Sequence, residues 1–154
     1  MKTLVLGIGN PLLGDDGVGF HIAQELAKQI KDENIDVKDT SVDGLNLLEL
    51  IIGYDKVIII DAIMTKGGEV GEIYKLRLED LVETVRFTTS PHNANLAIAI
   101  EIGKKILPEQ MPGEIVVFAV DIKEVTKFTE EMTEKVMAAI PKAVNLILRE
   151  LSPT

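Results

Sequence analysis

Apolar residues along the chain fall into two alternating patterns. Short apolar runs of four to eight residues, typical of buried strands, are separated by segments of ten or more residues with apolar positions at helical spacing. This alternation is typical of βα units arranged around a mostly parallel sheet. The pattern therefore predicts an α/β sandwich.

Strands are predicted where the apolar runs are short and rich in β-branched residues. The run inside 56–61 is too short for a helix, and its valine and isoleucines favour a central strand. The segment at 73–78 alternates apolar with charged residues, which predicts a half-exposed strand at a sheet edge. The predicted strands are Lys2–Ile8, Ile35–Thr40, Lys56–Asp61, Ile73–Leu78 and Ile115–Val120.

Helices are predicted between these runs. The first carries an apolar stripe from Gly19 to Ile30, and the second follows Gly44 and ends at Gly53. A third starts at Ser90-Pro91, with serine as N-cap and proline as the first helical residue. The fourth runs from about Thr129 to Leu151, and Pro141 inside it predicts a kink or a split near Ala138.

Composition narrows the possible functions. The length of 154 residues predicts a single domain over 1–154, and a net charge of −9 disfavours a nucleic-acid partner. The chain has no cysteine, which excludes a thiol nucleophile and thiolate metal sites. No apolar stretch approaches the ~20 residues of a membrane span, so a cytoplasmic protein without a membrane partner is expected.

The candidate functional residues lie where the predicted parallel strands end. Ligands of such sheets bind beyond the carboxyl ends of the strands. The glycine-rich segment 7–19 follows the first strand, Asp61 ends the third, and Ser90–Asn93 begins a helix. We therefore expect ionisable groups from all three segments to converge at one edge of the sheet.

The glycine-rich segment favours a cation over a nucleotide. Leu12 stands where a dinucleotide fingerprint needs its third glycine, so only Gly-x-Gly remains. Asp15 and Asp16 near the start of the helix would repel a pyrophosphate. One of these two acids could simply cap the helix, and the spacing does not show which.

Asp61 and the two histidines are expected in different environments. An acid at the end of a buried strand needs a cation or donors, although Asp61 could instead cap a turn through Met64 or Thr65. His21 shares a helix face with polar residues and is expected to be solvated. His92 is expected on the inward face at a helix N-terminus, where the neutral, metal-binding imidazole is favoured; a buried core histidine is the alternative.

Two carboxylates and one imidazole can bind a divalent metal such as zinc or nickel. The chain has no His-Glu-x-x-His helix and no Gly-x-Ser-x-Gly elbow. Metal-centred hydrolysis or metal recognition is therefore the favoured chemistry.

Three motifs in order carry a resemblance over nearly the whole chain. They are Gly7-Ile8-Gly9-Asn10 with Gly14–Gly19, the run Val57–Ala62, and Thr88–Asn93. Together they resemble the hydrogenase maturation endopeptidases, which trim the C-terminal extension from the large-subunit precursor of nickel-iron hydrogenases. The resemblance implies a three-layer α/β/α sandwich whose five-stranded, mostly parallel twisted sheet carries one antiparallel edge strand.

The resemblance also implies a site and a partner. The family's metal-contacting and catalytic positions fall on Asp16, Asp61 and His92, while Asp15 stays unassigned. The implied partner is a nickel-loaded hydrogenase precursor, with nickel carried by the substrate rather than resident in the protease. Two alternatives are a nickel-binding maturation chaperone without peptidase activity and, with less support, an enzyme similar to peptidyl-tRNA hydrolases, which share the Gly-x-Gly-Asn-Pro turn.

Overall fold

A computed structural model describes residues 1–41, 44–77, 80, 91–123, 125 and 127–152, with the backbone alone described for 91–95. The strands are β1 (Thr3–Ile8), β2 (Ile35–Thr40), β3 (Lys56–Ile63), β4 (Ile73–Arg77) and β5 (Glu114–Asp121). The helices are α1 (Val18–Gln29), α2 (Leu48–Ile51), α3 (Pro91–Ile106) and α4 (Glu134–Leu151), with short 3-10 helices at Gly14–Gly17 and Gly44–Leu47.

The five strands form one sheet in the order β2-β1-β3-β5-β4. The pairs β1–β2, β1–β3 and β3–β5 are parallel, whereas β4 pairs antiparallel with β5 at the sheet edge. The central strands β1, β3 and β5 are buried along almost their whole length, as expected for strands covered on both faces. The predicted mostly parallel sheet with one antiparallel edge strand is confirmed.

Helices cover both faces of the sheet. On one face, Ile58 and Val116 pack in a core cluster with Ile22 of α1 and Val136 of α4. On the other face, Leu6, Ile59 and Val117 pack with Ile51 of α2 and with Leu96 and Ile100 of α3. Successive strand residues point to opposite faces, so each strand contributes to both clusters. The three-layer α/β/α sandwich is confirmed.

Helix α3 begins at the carboxyl edge of the parallel strands. The chain that follows it returns to the opposite edge, because Gly53 N–H donates to Gln110 O at 2.9 Å and Gly113 N–H donates to Asp55 O at 3.0 Å, just before β3. A helix of 16 residues is about 24 Å long. Its first turn, which contains His92, therefore lies at the edge where β1, β3 and β5 end.

Two predicted boundaries were wrong. β3 continues two residues past Asp61, because its pairing with β5 extends to Ile63 opposite Asp121. α4 starts at Glu134 rather than near Thr129, because Thr129 exchanges backbone hydrogen bonds with the glycine-rich loop.

The fourth helix is also not split. α4 is one continuous helix through Pro141, which lies on its exposed side, where water can reach the carbonyl that lacks a helical donor.

The predicted strand end at Leu78 and the predicted N-cap Ser90 lie outside the described residues. Within the described part of the chain, no helix combines the length and apolar character needed to cross a membrane.

Candidate active site at the carboxyl edge of the sheet

The loop after β1 places the start of α1 directly on the sheet. A Cβ at Gly19 would lie 2.4 Å from Ile60 O and 2.5 Å from Ile8 O, which no side chain tolerates. Glycine therefore allows α1 to contact the backbone of β1 and β3 where these strands end. This contact holds the preceding 3-10 helix, which carries Asp15 and Asp16, at the carboxyl edge.

Asp16 is oriented by a hydrogen bond across the loop. The backbone N–H of Asn10 donates to Asp16 Oδ2 at 3.1 Å, and the residue is half-buried. Its second oxygen, Oδ1, accepts no hydrogen bond from the described part of the chain. The carboxylate is therefore held in place on one side and open to a ligand on the other.

Asp16 lines a cavity of about 370 Å³ at this edge. The cavity walls come from the residues that follow four parallel strands and from the two loops beside them. The lining residues are Gly9, Asn10, Leu13, Asp16, Ser41, Met64, Ile122 and Val125. This is the crevice that the strand order predicts for a ligand, and we call it the crevice below.

Asp15 has a structural role. Its carboxylate accepts hydrogen bonds from Thr133 N–H at 2.8 Å and from Thr133 Oγ1 at 2.9 Å, and the residue is buried. Thr133 is the N-cap residue of α4, so Asp15 ties the glycine-rich loop to that helix. Neither aspartate caps α1, whose N-cap is Gly17 without a side-chain hydrogen bond.

Asp61 lies inside β3 rather than after it, and it is 0% exposed. The backbone N–H of Ala62 donates to Asp61 Oδ1 at 2.8 Å. Strand alternation places Asp61 with Ile59 and Ile63 on the sheet face covered by α3. Asp61 is not among the residues that line the crevice. Of the two turn residues that Asp61 could cap, Met64 and Thr65, the Thr65 N–H donates to Asp121 Oδ1 at 3.4 Å.

His92 is the second residue of α3, so its backbone lies at the carboxyl edge on the same face as Asp61. The His92 side chain lies outside the described part of the structure. Among the side chains that the structure describes, no three acidic or imidazole groups form a metal site. The set of Asp16, Asp61 and His92 therefore stays a prediction, with its three backbones at one edge.

The expectation for His21 was wrong. The residue is half-buried, and its Nε2 is buried without a hydrogen-bond partner among the described residues. The Phe20 ring packs edge-on against it, with centroids 5.2 Å apart. The imidazole contacts the neighbouring aromatic ring, which helical periodicity alone did not indicate.

Asp121 is a buried acid at this edge that the sequence interpretation missed. It ends β5 and is 2% exposed. Its carboxylate accepts hydrogen bonds from Thr65 Oγ1 at 2.5 Å and from Tyr74 OH at 2.9 Å. Burial, together with the hydrogen bonds to Asp121 and Glu72, raises the pKa of the Tyr74 phenol well above its ordinary value. The available signal was the one that identified Asp61, an acid directly after an apolar run.

The fold and crevice define a class: a three-layer α/β protein that presents a carboxylate beyond the carboxyl ends of its parallel strands. Comparison with known proteins gives the family. Residues 20–150 match the family model described as hydrogenase maturation protease. The hydrogenase 2 maturation protease of Escherichia coli is 30% identical over 164 residues, covering 97% of this chain and 98% of that protein.

Two further relatives agree with this match. Protein FrxA of Pyrococcus furiosus is 35% identical, covering 88% of this chain and 95% of that protein. The structure of the hydrogenase maturating endopeptidase HybD from E. coli superposes with a TM-score of 0.85 at 29% identity, covering 98% of this chain and 92% of that one. The chain belongs to the hydrogenase maturation protease family and is a peptidase. The family match favours a peptidase over the two alternatives from the sequence, a maturation chaperone without peptidase activity and an enzyme similar to peptidyl-tRNA hydrolases.

Proposed function

We propose that this protein is the endopeptidase that removes the C-terminal extension of a nickel-iron hydrogenase large-subunit precursor after nickel has been inserted. The observation that carries the proposal is the open carboxylate of Asp16 in the crevice of a chain that matches the protease family over 20–150. The cytoplasmic location and the lack of a nucleic-acid partner stay predictions from the sequence.

The substrate's nickel is the recognition element in this proposal. Asp16, Asp61 and His92 contact the ion while the precursor holds it. A carboxylate as buried as Asp61 is costly to keep ionised unless donors or a cation compensate. The N-terminus of α3 favours the neutral form of an imidazole placed there, and this is the form that binds metal. The donor set therefore suits a nickel ion delivered by the substrate.

The crevice also supports the hydrolytic step. Peptide hydrolysis adds water oxygen to the scissile carbonyl carbon, breaks the C–N bond and transfers a proton to the leaving amine. Asp16 is the acid that lines the crevice with an oxygen open to a ligand. It is therefore placed to accept a proton from water, with nickel serving mainly as a template.

The test compares two forms of one precursor. Nickel-loaded and nickel-free large-subunit precursors from the organism that supplies this chain are incubated with the purified protein, and mass spectrometry follows the released extension peptide. We expect release from the loaded precursor and none from the nickel-free one. Binding of the loaded precursor without peptide release would instead indicate a maturation chaperone.

Metal analysis of the purified protein provides the control for nickel delivery. If nickel belongs to the substrate, the protease alone carries much less than one metal ion per chain. One tightly bound zinc per chain, together with cleavage of the nickel-free precursor, would indicate a conventional metallohydrolase and contradict the proposal.

A further inference from the structure

The connection between β3 and β4 is held against β5 by a hydrogen-bond network centred on Asp121. We call the hydroxyls and carboxylate of Thr65, Tyr74 and Asp121 the Asp121 network. Asp121 Oδ2 accepts from Thr65 Oγ1 at 2.5 Å and from Tyr74 OH at 2.9 Å, and Asp121 Oδ1 lies 3.4 Å from the Thr65 nitrogen. Hydrogen bonds to a buried carboxylate are among the stronger ones in proteins.

The loop closes tightly over this network. Gly68 N–H donates to Thr65 Oγ1 at 3.0 Å. A Cβ at Gly68 would lie 2.1 Å from Asp121 Oδ2 and 2.3 Å from Tyr74 OH, so any side chain there would displace these groups. Backbone hydrogen bonds from Gly71 N–H to Asp121 O and from Asp121 N–H to Glu72 O, both 2.8 Å, fix the other end of the loop. The carboxylate is therefore covered by the loop that it holds.

This network is adjacent to one wall of the crevice. Met64 lines the crevice and stands between two anchored residues. On one side, Ile63 O accepts from Ile122 N–H at 2.8 Å, and on the other side Thr65 donates to Asp121. Ile122, the residue after Asp121, lines the same crevice. Moving the Thr65 anchor therefore moves Met64 and changes the shape of the wall.

We propose that Asp121, Thr65 and Tyr74 are positioning residues of the protease, which hold Met64 in the crevice wall and so set how tightly the precursor peptide binds. The inference rests on the proposed function, since it requires the crevice to bind the peptide. A wall contact acts on the bound substrate and the transition state alike. Its loss therefore raises KM while kcat is retained.

The chain supplies a matched control for the tyrosine. Tyr54 OH donates to Asp36 Oδ2 at 2.6 Å, which is also a partly buried phenol–carboxylate hydrogen bond. Tyr54 precedes β3 and Asp36 lies near the start of β2, so this pair is at the edge opposite the crevice. Tyr54→Phe therefore removes a phenol–carboxylate hydrogen bond of the same kind without touching the crevice wall, although the Tyr74 OH also lies 3.0 Å from Glu72 Oε2.

The experiment measures KM and kcat for the nickel-loaded precursor, together with thermal unfolding. We expect Thr65→Val and Tyr74→Phe to raise KM about fivefold, with kcat within about twofold of wild type, as for the loss of one hydrogen bond. Thr65→Ser keeps the hydroxyl and restores the wild-type KM. Tyr54→Phe lowers the melting temperature about as much as Tyr74→Phe but leaves KM unchanged.

The outcomes separate this inference from the proposed function. If wild type cleaves the precursor and Thr65→Val and Tyr74→Phe keep its KM, the positioning role is overturned and the proposed function stands. An equal KM rise in Tyr54→Phe also overturns it, because the effect would then follow general stability. If wild type does not cleave, the proposed function fails and the inference fails with it.

Discussion

At the scale of single residues, the neighbouring aspartates Asp15 and Asp16 have different surroundings. Asp15 accepts two hydrogen bonds from Thr133, a residue 118 positions away, and is buried. Asp16 accepts one hydrogen bond from Asn10 and opens into the crevice. The two carboxylates are adjacent in the chain but point to different parts of the molecule, so Asp15 ties the loop to α4 whereas Asp16 faces the crevice.

Substitution separates these two roles. Asp15→Ala leaves Thr133 without its acceptor and is expected to cost about 1–3 kcal/mol of unfolding free energy, as for the loss of a buried hydrogen bond or helix cap. Urea unfolding measures this loss, and cleavage of loaded precursor by the folded fraction is retained. An Asp15→Ala protein with unchanged stability would contradict the structural role.

The predicted site residues are expected to show the opposite behaviour. Asp16→Ala, Asp61→Ala and His92→Ala each abolish release of the extension peptide, because each removes one contact to the substrate's nickel. Circular dichroism shows that the variants are folded, and Glu25→Ala, at a partly exposed acid of α1, serves as the active control. Unchanged cleavage by all three variants would refute the assignment.

At the scale of elements, long-range pairing decided where several elements begin and end. The apolar run of the central strand ends at Asp61, yet β3 extends to Ile63 because β5 supplies partners up to Asp121. The segment before α4 fits a helical pattern, yet Thr129 pairs with the loop around Leu13. Local periodicity contains no information about either partner, so these boundaries could not be predicted.

Helix α4 offers a prediction at this scale. Pro141 removes one backbone hydrogen bond inside the helix, and the missing donor would bond the Met137 carbonyl. Pro141→Ala is expected to stabilise the protein by about 1–3 kcal/mol in urea unfolding, since proline in a helix interior costs up to ~3 kcal/mol relative to alanine. Cleavage is expected to be unchanged. A loss of stability would show that packing of α4 needs the proline.

At the scale of the whole molecule, an ion-pair cluster joins the end of the chain to the sheet. Glu150 near the end of α4 accepts from Lys56 Nζ at 2.8 Å, where β3 begins, and also pairs with Lys75 of β4. The side chains of Lys56 and Glu150 are only 13% and 14% exposed. The cluster therefore connects three elements at the edge opposite the crevice.

This cluster predicts a pH dependence of stability. Burial raises the pKa of Glu150, but hydrogen bonds and charge from Lys56 and Lys75 outweigh it and lower the pKa below its ordinary value of 4.5. The ionised pair therefore stabilises the fold fully above pH 4.5 and loses this effect as the pH falls through the lowered pKa. The wild type is expected to exceed Glu150→Gln in unfolding free energy at pH 7, and the difference shrinks in acid. A difference that grows towards low pH would contradict the assigned direction.

The pattern of apolar residues was sufficient to predict the sheet, the edge position of β4 and the helices on both faces, because its periodicity shows which side of an element is buried. The order of the three sequence motifs was sufficient to identify the family. Other features depended on the folded chain: the pairing of Asp15 with Thr133, the burial of Asp61 within β3 and the closure of the loop over Asp121. Each joins side chains or strands that meet only when distant segments pack, so no local pattern could contain them.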